Sequence, residues 1–494
     1  MLLSELLQGI EVIATGGDLH VPVDGIAYDS REVLPNYLFV AIKGFTADGH
    51  SFVEQAIRRG SAVVVIEKQI DLPEGVAWLK VRDSRQTLAL LSANFYGKPA
   101  QKLCLVGVTG TNGKTTTTNL IAAILEADHR KVGLIGTIHN RVGSRIIPGT
   151  HTTPESKDLH ELLKEMVDEG AGFCVMEVSS HALALERVSG CEFDLAVFTN
   201  FTRDHLDLHQ TMENYLAAKL KLFRELKTPG QKGNHKQGVV NADDPLAASF
   251  IGAAQGAGAY VSAYGVKTPA DVYAEGIDIK PGGVGFRIKG KHGSLTIRLQ
   301  LTGLFNVYNA LAAFTAGALL GMPLKVIKDA LEAVEKVPGR FAAVNAGQDF
   351  AVIVDYAHTP DGLENTLRTA RCLTKGKLIT VYGCGGDRDR GKRSLMGRIA
   401  SQYSDLQIIT ADNPRTEVQG AITADILEGV RGIAKPGAFL VEPDRRLAIG
   451  AAIALASPGD VVIIAGKGHE NYQVIGREKI PFDDTRVALE ALGG

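Results

Sequence analysis

The chain has 494 residues, a nearly balanced charge of 53 basic against 55 acidic side chains, and five cysteines without a CxxC pair. About 150 residues per domain predicts roughly three domains, and the balanced charge excludes an overall field that attracts nucleic acid. The sparse cysteines favour free thiols in a reducing compartment. No apolar run reaches the roughly 20 residues that span a bilayer, and the first residues lack the basic start of a signal peptide. We therefore expect a cytoplasmic protein that binds neither nucleic acid nor membrane.

The chain divides at two breaks. Short strand-like runs (GIAYDS, YLFVAIKG, AVVVIE) fill an amino-terminal region that ends at residues 98–100, and proline and glycine at residues 338 and 339 mark the second break. From residue 103 onward, apolar runs alternate with segments of helical period, which predicts α/β layers with largely parallel sheets. Residues 262–303 are typical of a glycine-rich β segment with turns at Gly282 and Gly293.

We therefore predict an α/β protein of three domains, with limits 1–99, 100–336 and 337–494. The central domain is expected to carry a mostly parallel sheet of the phosphate-loop ATPase type, and the last domain to be Rossmann-like. The predicted strands are LCLVGVT (103–109), FCVMEV (173–178), LAVFTN (195–200), VVNADD (239–244), VIVDYA (352–357), LITVYG (378–383), LQIITADN (406–413) and VVIIAGKG (461–468). Ligands of open α/β sheets bind at the carboxyl ends of the strands, where most of these runs turn polar.

The first strand turns into a predicted helix through GTNGKTTTT. The standard pattern has glycine where this chain has Val108, but the remaining features of a phosphate-binding loop are present. Backbone N–H groups and the helix dipole favour phosphate, Lys114 reaches the outer phosphates, and Thr115 suits Mg²⁺. A chance glycine turn with an exposed lysine is the alternative. We predict that ATP phosphates contact Gly110, Thr111, Asn112, Gly113, Lys114, Thr115 and Thr116.

Acidic and histidine residues follow the next two strands. Glu177 ends FCVMEV where a carboxylate could hold a metal ion, although a solvated strand end explains it when it is taken alone. The run TNFTRDHLDLH adds Asp204, His205, Asp207 and His209. Imidazole is a weak ligand for Mg²⁺, so helix capping by Asp204 or Asp207 stays open.

The carboxyl-terminal third repeats the pattern. Arg340 and Asp355 could contact the phosphates and ribose of a nucleotide, or form an interface ion pair. The runs GCGGDRDRGKR, ADNPRTE and AGKGHE each follow a strand. Arg388, Arg415 and Glu470 are therefore expected to converge on one ligand with carboxylate and amine groups, although each alone could be surface charge.

Together these motifs resemble the Mur ligase family over essentially the whole chain. The specific elements are GTNGKTT, EVSSH, TNFTRDHLD, LFNVYN, DYAHTP, GCGGDRD, DNPR and GKGHE. The resemblance implies an ATP- and Mg²⁺-dependent amide ligase that acts through an acyl phosphate, with successive domains for a UDP-sugar, ATP and an amino acid. The similarity is greatest to the member that adds the third peptide residue, which implies UDP-N-acetylmuramoyl-L-alanyl-D-glutamate and meso-2,6-diaminopimelate as substrates.

The resemblance also assigns roles to individual residues. It implies catalytic roles for Lys114, Glu177, His205 and Lys219, and metal contacts from Thr115, Glu177, His205 and a Lys219 carbamylated by CO₂. The implied ATP contacts add Asn309, Arg340 and Asp355. The implied UDP-substrate contacts are Ser30, Phe45, Thr46, Ala47, Thr152, Thr153, Ser179 and Arg187. The implied amino-acid contacts are Arg388, Asp412, Asn413, Pro414, Arg415, Gly466 and Glu470. Leu185 departs from the glutamine that relatives often carry, and we expect a monomer.

Three alternatives stay open at this point. Arg415 suits the distal carboxylate of diaminopimelate, which lysine lacks, but an L-lysine-adding enzyme of the same family is the nearest competitor. A folylpolyglutamate-synthase-like ligase shares the plan of the last two domains, although the amino-terminal region and DNPR argue against it. A switch protein that hydrolyses ATP slowly without an amino-acid substrate would use the same loop.

Overall fold

The computed structural model describes residues 1–45, 47–149, 151–228, 230, 232–280 and 282–493. Three large sheets follow one another along the chain, and a two-stranded hairpin lies near its end. Helices pack on these sheets, which confirms the α/β prediction. Within the described residues, none of the helices combines the length and the apolar character that crossing a membrane requires.

The amino-terminal sheet has five strands in the order β1-β5-β4-β3-β2. Its elements are α1 Leu3–Leu6, β1 Ala14–Gly16, β2 Gly25–Ala27, β3 Tyr37–Val40, α2 Val53–Arg58, β4 Ser61–Ile66, β5 Ala77–Lys80 and α3 Ser84–Phe95. All neighbours are parallel except β1 and β5. Helix α3 begins after Asp83, whose carboxylate accepts the N–H groups of Arg85 and Gln86 and so caps the first turn.

The central sheet has eleven strands in the order β16-β15-β14-β13-β12-β11-β6-β10-β7-β8-β9. Its strands are β6 Cys104–Thr109, β7 Val132–Ile135, β8 His139–Val142, β9 Arg145–Pro148, β10 Phe173–Glu177, β11 Leu195–Phe198, β12 Gln237–Asn241, β13 Tyr260–Gly265, β14 Val272–Lys280, β15 Gly283–Gly290 and β16 Leu295–Leu299. Its helices are α4 Lys114–Ala127, α5 Ser156–Asp168, α6 Ser180–Ala184, α7 Leu206–His209, α8 Met212–Arg224, α9 Ala247–Gly256, α10 Leu304–Leu319 and α11 Leu324–Ala333.

Strands β7, β10, β6, β11, β12, β13 and β14 run parallel, and antiparallel pairs extend both edges of the sheet. The glycine-rich β segment predicted at residues 262–303 is one of these extensions. Apolar residues cover both faces: Leu120 of α4 and Phe314 of α10 belong to one core, and Leu163 of α5 and Phe223 of α8 to the other. Burial on both faces explains why the central strands are continuous apolar runs.

The carboxyl-terminal sheet has the order β17-β18-β22-β19-β20-β21, with only β17 antiparallel to its neighbour. Its strands are β17 Ala342–Val344, β18 Ala351–Asp355, β19 Leu378–Tyr382, β20 Leu406–Ile409, β21 Phe439–Val441 and β22 Val461–Ala465, followed by the hairpin strands β23 Tyr472–Ile475 and β24 Glu478–Pro481. The helices are α12 Pro360–Leu373, α13 Gly391–Tyr403, α14 Gln419–Val430, α15 Arg445–Ala454 and α16 Asp484–Gly493. Separate apolar cores on the two faces make this a doubly wound α/β layer.

Candidate active site

A cavity of about 1020 Å³ lies where the two larger sheets face each other. Its wall contains the carboxyl ends of strands from both sheets, and Phe45 contributes from the amino-terminal part. Glu177 ends β10, Asp355 ends β18 and Asp412 follows β20, so the polar strand ends predicted from the sequence meet in one cleft.

The loop between β6 and α4 is shaped by two glycines. Gly110 and Gly113 have φ angles of 150° and 84°. A Cβ on Gly110 would lie 1.9 Å from Thr199 Oγ1, and a Cβ on Gly113 would lie 2.6 Å from Asn309 Oδ1. Only glycine fits both positions. The loop therefore presents its backbone at the start of a helix of 14 residues, which is the arrangement that favours phosphate.

Lys114 folds back over this loop. Its Nζ donates to the carbonyl groups of Gly110 and Thr111 at 2.9 and 2.8 Å. Burial lowers the pKa of Lys114 below its ordinary value. The amine is therefore held above the loop without a carboxylate partner among the described residues, and an anion bound there would meet an unneutralised donor.

Glu177 is buried and fully engaged at the other side of the loop. Thr115 Oγ1 donates to its Oε2 at 3.0 Å, and Thr137 donates to Oε1 through its N–H at 2.8 Å and to Oε2 through its hydroxyl at 3.0 Å. Arg340 Nη2 donates to Thr115 Oγ1 at 2.8 Å. Carboxylate and hydroxyl oxygens are the ligands that Mg²⁺ prefers, so this donor set fits the ion.

His205 occupies a separate part of the cleft. Its Nε2 lies 3.3 Å from Asp204 Oδ2, and its ring packs edge-on against His181 with centroids 4.6 Å apart. Burial lowers the pKa of His205 well below 6.5. Within the described residues there is no cluster of three or more histidine, cysteine or acidic side chains that could hold a metal ion.

Asp204 forms an ion pair between the two larger sheets. Its Oδ1 accepts the N–H of His205 at 2.9 Å and lies 3.5 Å from Nζ of Lys392. Burial raises the pKa of Asp204, but Lys392 and then His205 outweigh it, and the pKa is lower than usual. Helix α7 begins at residue 206 without a side-chain cap, so the capping interpretation of Asp204 and Asp207 is not observed.

Lys219 of α8 lies beneath the phosphate loop. Its Nζ is buried, donates to the carbonyl of Gly110 at 2.7 Å and lies 4.7 Å from the ring centroid of Tyr215. Burial, and then the charge of Lys114, lower its pKa well below 10.5. Two amines thus share one carbonyl oxygen, an arrangement that favours the uncharged form of the more buried amine.

The predicted nucleotide contacts beyond the loop also reach the cavity. Asn309 Oδ1 accepts from the hydroxyl of Thr117 at 3.3 Å. The carboxylate of Asp355 accepts the N–H groups of Phe341 and Ala357 at 2.6 and 2.8 Å. Arg340 lies over the ring of Tyr356 instead of pairing with Asp355, so the interface ion pair suggested as an alternative is absent among the described residues.

Residues of the last sheet form the far end of the cleft. Arg388, Arg415, Asn413 and Glu470 line the cavity. Arg415 has a φ of 51° and donates from Nη1 to the carbonyl of Gly386 at 2.7 Å. The cleft therefore brings together the two guanidinium groups and the carboxylate predicted to meet one ligand. Pro414 and Gly466 belong to the turns that carry them; Gly466 has a φ of 118°.

The predicted UDP-substrate residues fall in two places. Thr152, Thr153, Ser179 and Arg187 line the cavity beside Leu185, and Thr153 Oγ1 donates to the carbonyl of Glu177 at 2.8 Å. The remaining residues belong to the amino-terminal part: Ser30 is buried and donates to Gln55 at 2.9 Å, Phe45 and Ala47 are exposed, and Thr46 lies outside the described residues.

Two residues that line this site carry no sequence signal of their own. Thr137 follows β7 outside any motif, and Asp361 accepts from Asn112 Nδ2 at 2.8 Å across the cleft. An apolar strand ending in a polar residue would have been the signal for such positions, and neither residue ends a strand.

Family models match three successive segments of the chain. They are described as the Mur ligase family catalytic domain over residues 22–96, the Mur ligase middle domain over residues 108–317 and the Mur ligase glutamate ligase domain over residues 339–468. Each segment contains one of the three large sheets or most of its strands.

Curated relatives match over the full length. UDP-N-acetylmuramoyl-L-alanyl-D-glutamate–2,6-diaminopimelate ligase of Syntrophomonas wolfei is 48% identical. The match covers 100% of this chain and 99% of that protein. The protein of the same name from Caldanaerobacter subterraneus is 47% identical, and the match covers 100% of this chain and 99% of that protein. A solved structure of a ligase with that name is 34% identical with a TM-score of 0.69 and covers 100% of this chain and 99% of its own. A folylpolyglutamate synthase of Mycobacterium tuberculosis, solved with ADP and AMPPCP, shares the fold at 18% identity and a TM-score of 0.64, covering 76% of this chain and 91% of its own.

Proposed function

This chain belongs to the Mur ligase family, and we propose that it is the ATP-dependent ligase that adds meso-2,6-diaminopimelate to UDP-N-acetylmuramoyl-L-alanyl-D-glutamate. Relatives that carry this activity in their names match over 99% of their length. The observation that carries the proposal is the cleft itself: a phosphate loop faces two guanidinium groups and a carboxylate across one cavity. This arrangement suits the joining of an activated acid to an amino acid with two carboxylates.

The chemistry follows from the weakness of a carboxylate as an acyl donor. Attack by an amine would have to expel oxide, whereas transfer of the γ-phosphoryl group of ATP converts that oxygen into part of a phosphate leaving group. Loop amides, Lys114 and Arg340 neutralise charge on the transferring group. The amine then attacks the acyl carbon, the C–O bond to phosphate breaks, and the amine loses a proton as the amide forms.

Magnesium would be held by Thr115 and Glu177, whose oxygens already lie 3.0 Å apart. When bound, the ion supplies positive charge to the phosphates. Thr137 holds both Glu177 oxygens in place. We propose that His205 has its catalytic role and its metal contact on the other side of the cleft. Its lowered pKa keeps the imidazole neutral near pH 7.

We propose that Lys219 is carbamylated. CO₂ reacts with a free amine, and burial together with Lys114 lowers the pKa of Lys219 and so favours that form. The carbamate would place an anion beneath the loop, where it would attract a second magnesium ion. Mass spectrometry of the intact protein, with and without ¹³C-bicarbonate, should show one added CO₂ that is absent in Lys219→Met.

We assign the proposed substrate contacts to the amino-terminal part and to the cleft. Ser30, Phe45, Thr46 and Ala47 would bind the UDP part, and Thr152, Thr153, Ser179 and Arg187 the peptide end of the sugar. Arg388, Asp412, Asn413, Pro414, Arg415, Gly466 and Glu470 would bind diaminopimelate. The free cysteines support a cytoplasmic location, and the balanced charge supports a protein that does not bind nucleic acid. We also propose a monomer that does not bind membrane.

A coupled phosphate-release assay tests the function. Release should require ATP, the UDP-muramoyl-dipeptide and diaminopimelate together, and product should gain one diaminopimelate by mass. Equal release without any amino acid would support the switch protein. Equal turnover with lysine would support the lysine-adding alternative. Turnover of a folate in place of the UDP-sugar would support the folylpolyglutamate-synthase-like ligase.

A further inference from the structure

The side chain of Lys467 is fully buried at the amino-acid end of the cleft. It lies between Gly466 and Gly468, whose φ angles are 118° and 54°. A Cβ on Gly468 would lie 2.7 Å from both the carbonyl oxygen of Gly339 and the Cβ of Tyr356. The turn is therefore pressed against the segment that carries Arg340, and only glycine fits there.

The ammonium group of Lys467 is committed to three neighbours. Its Nζ lies 2.9 Å from Asn413 Oδ1, 3.0 Å from Glu470 Oε2 and 3.6 Å from Asp412 Oδ1. A buried ammonium is tolerated only when its donors are matched in this way. All three neighbours line the cavity, whereas Lys467 itself lies outside its wall.

These contacts fix the orientation of the Asn413 amide. Its Oδ1 accepts from Lys467 and from the N–H of Val474 at 2.9 Å, so its Nδ2 must face Glu470, where it donates to Oε2 at 2.9 Å. Glu470 Oε2 thus accepts from two donors, while its Oε1 accepts from none of the described residues. The carboxylate is held by one oxygen and offers the other to the cleft.

Lys467 also sets the local charge. Burial raises the pKa of Asp412, but Lys467 and Arg445 outweigh it, and the pKa is lower than usual. Lys467, Arg388 and Arg415 together balance the carboxylates of Asp412, Glu470 and Asp207, whose Oδ2 lies 4.0 Å from Arg388 Nη1.

We propose that Lys467 is a positioning residue for the incoming amino acid, holding Asn413 and Glu470 so that Glu470 Oε1 meets an ammonium group of a dicarboxylic diamino acid. The inference rests on the proposed function of this end of the cleft. Lys467 acts through its neighbours, and its loss should weaken binding of the amino acid while ATP and the UDP-sugar bind as before.

Steady-state kinetics of Lys467→Met test this role. The KM for diaminopimelate should rise roughly tenfold to a hundredfold, as for loss of hydrogen bonds to charged groups, with the KM values for ATP and the UDP-sugar within about threefold of wild type. The matched control is Lys236→Met, because Lys236 is equally buried and pairs with Asp194 and Glu192 away from the cleft. That control should lower thermal stability and leave the KM for diaminopimelate unchanged.

An unchanged KM for diaminopimelate in Lys467→Met, or equal rises in all three KM values, would overturn the inference. If Lys467→Met does not fold, Lys467→Gln carries the same test, because its amide fills the buried space without the charge. A wild-type protein whose phosphate release ignores diaminopimelate would overturn the proposed function and this inference together. Dependence on diaminopimelate in wild type, with no selective effect in either variant, overturns the inference alone.

Discussion

Thr137 donates two hydrogen bonds to Glu177, one from its backbone N–H to Oε1 at 2.8 Å and one from its hydroxyl to Oε2 at 3.0 Å. Thr115 donates to Oε2 as well. Both carboxylate oxygens are therefore held, and the plane of the carboxylate is fixed relative to the phosphate loop. The hydroxyl oxygen of Thr137 also lies 3.0 Å from Thr152 Oγ1 and can accept a hydrogen bond from that hydroxyl, which links Glu177 to the predicted peptide site.

Replacing Thr137 by valine should isolate the contribution of its hydroxyl group. Thr137→Val keeps the shape and the backbone bond but removes the hydroxyl, so Glu177 gains freedom to rotate. We expect kcat to fall about tenfold, which corresponds to one net hydrogen bond, and the magnesium dependence to shift to higher concentration. The control Thr315→Val removes a buried hydroxyl that bonds only its own helix at Leu311. A wild-type kcat and magnesium dependence in Thr137→Val would show that the hydroxyl does not position Glu177.

Lys114 should be required for chemistry but not for folding. Lys114→Ala removes an amine whose hydrogen bonds to the described residues go to the loop carbonyls of Gly110 and Thr111 alone, so the core of the sheet is untouched. We expect kcat to fall roughly 100- to 1000-fold, as when one preorganised donor to a developing charge is removed. Phosphate release and thermal unfolding measure the two properties. Lys325→Ala, which loses an exposed pair with Asp329, is the control, and unaltered turnover in Lys114→Ala would exclude its role.

The strands and the phosphate loop were predictable because their signals are local. Strand β10 was expected at residues 173–178 and spans Phe173–Glu177, and β22 was expected at 461–468 and spans Val461–Ala465. Burial on both faces requires unbroken apolar runs, and such runs are visible in one sequence. The predicted strands extend past these ends, to Val178 and to residues 466–468, which the structure places in loops.

The contacts across the cleft were not predictable, because they depend on how distant segments meet. Arg203 and Asp389 are 186 residues apart and form a two-fold hydrogen bond. Each lies in a motif that the sequence singles out, but neither motif identifies the other as its partner. Lys392 likewise follows a glycine in a charged run, yet it is buried against Asp204. The order of the sheet strands, with β22 between β18 and β19, is set by the same long-range packing.

His160 should make stability depend on pH. It is fully buried in α5, and burial lowers its pKa to about 4, against the opposing effect of the Ser189 carbonyl. The folded protein then binds fewer protons than the unfolded chain, so stability is lost as the pH falls from about 6.5 through 4. Between pH 7 and pH 4, wild type should lose about 3 kcal/mol more than His160→Gln.

Urea unfolding at several pH values measures this difference. Glutamine keeps a donor for the Ser189 carbonyl, which the histidine contacts at 3.2 Å, but does not titrate. The exposed His20 provides the control variant His20→Gln. Parallel pH profiles for wild type and His160→Gln would mean that the imidazole is protonated in the folded protein as easily as in the unfolded chain.

Arg415 should decide the choice of amino acid. Its left-handed backbone is held by Val474 and Gly476 through bonds of 3.1 and 2.8 Å, and its Nη1 bonds the Gly386 carbonyl at 2.7 Å. Nε and Nη2 donate to none of the described residues, so a preorganised fork is left for a distal carboxylate. Lysine would leave that fork unpaired, and kcat/KM for lysine should be lower than for diaminopimelate by roughly 10⁴-fold. Arg415→Lys should lower kcat/KM for diaminopimelate about a hundredfold. The control Arg398→Lys, at an exposed position, should leave it unchanged. Comparable kcat/KM for both amino acids in wild type would refute the role of the fork.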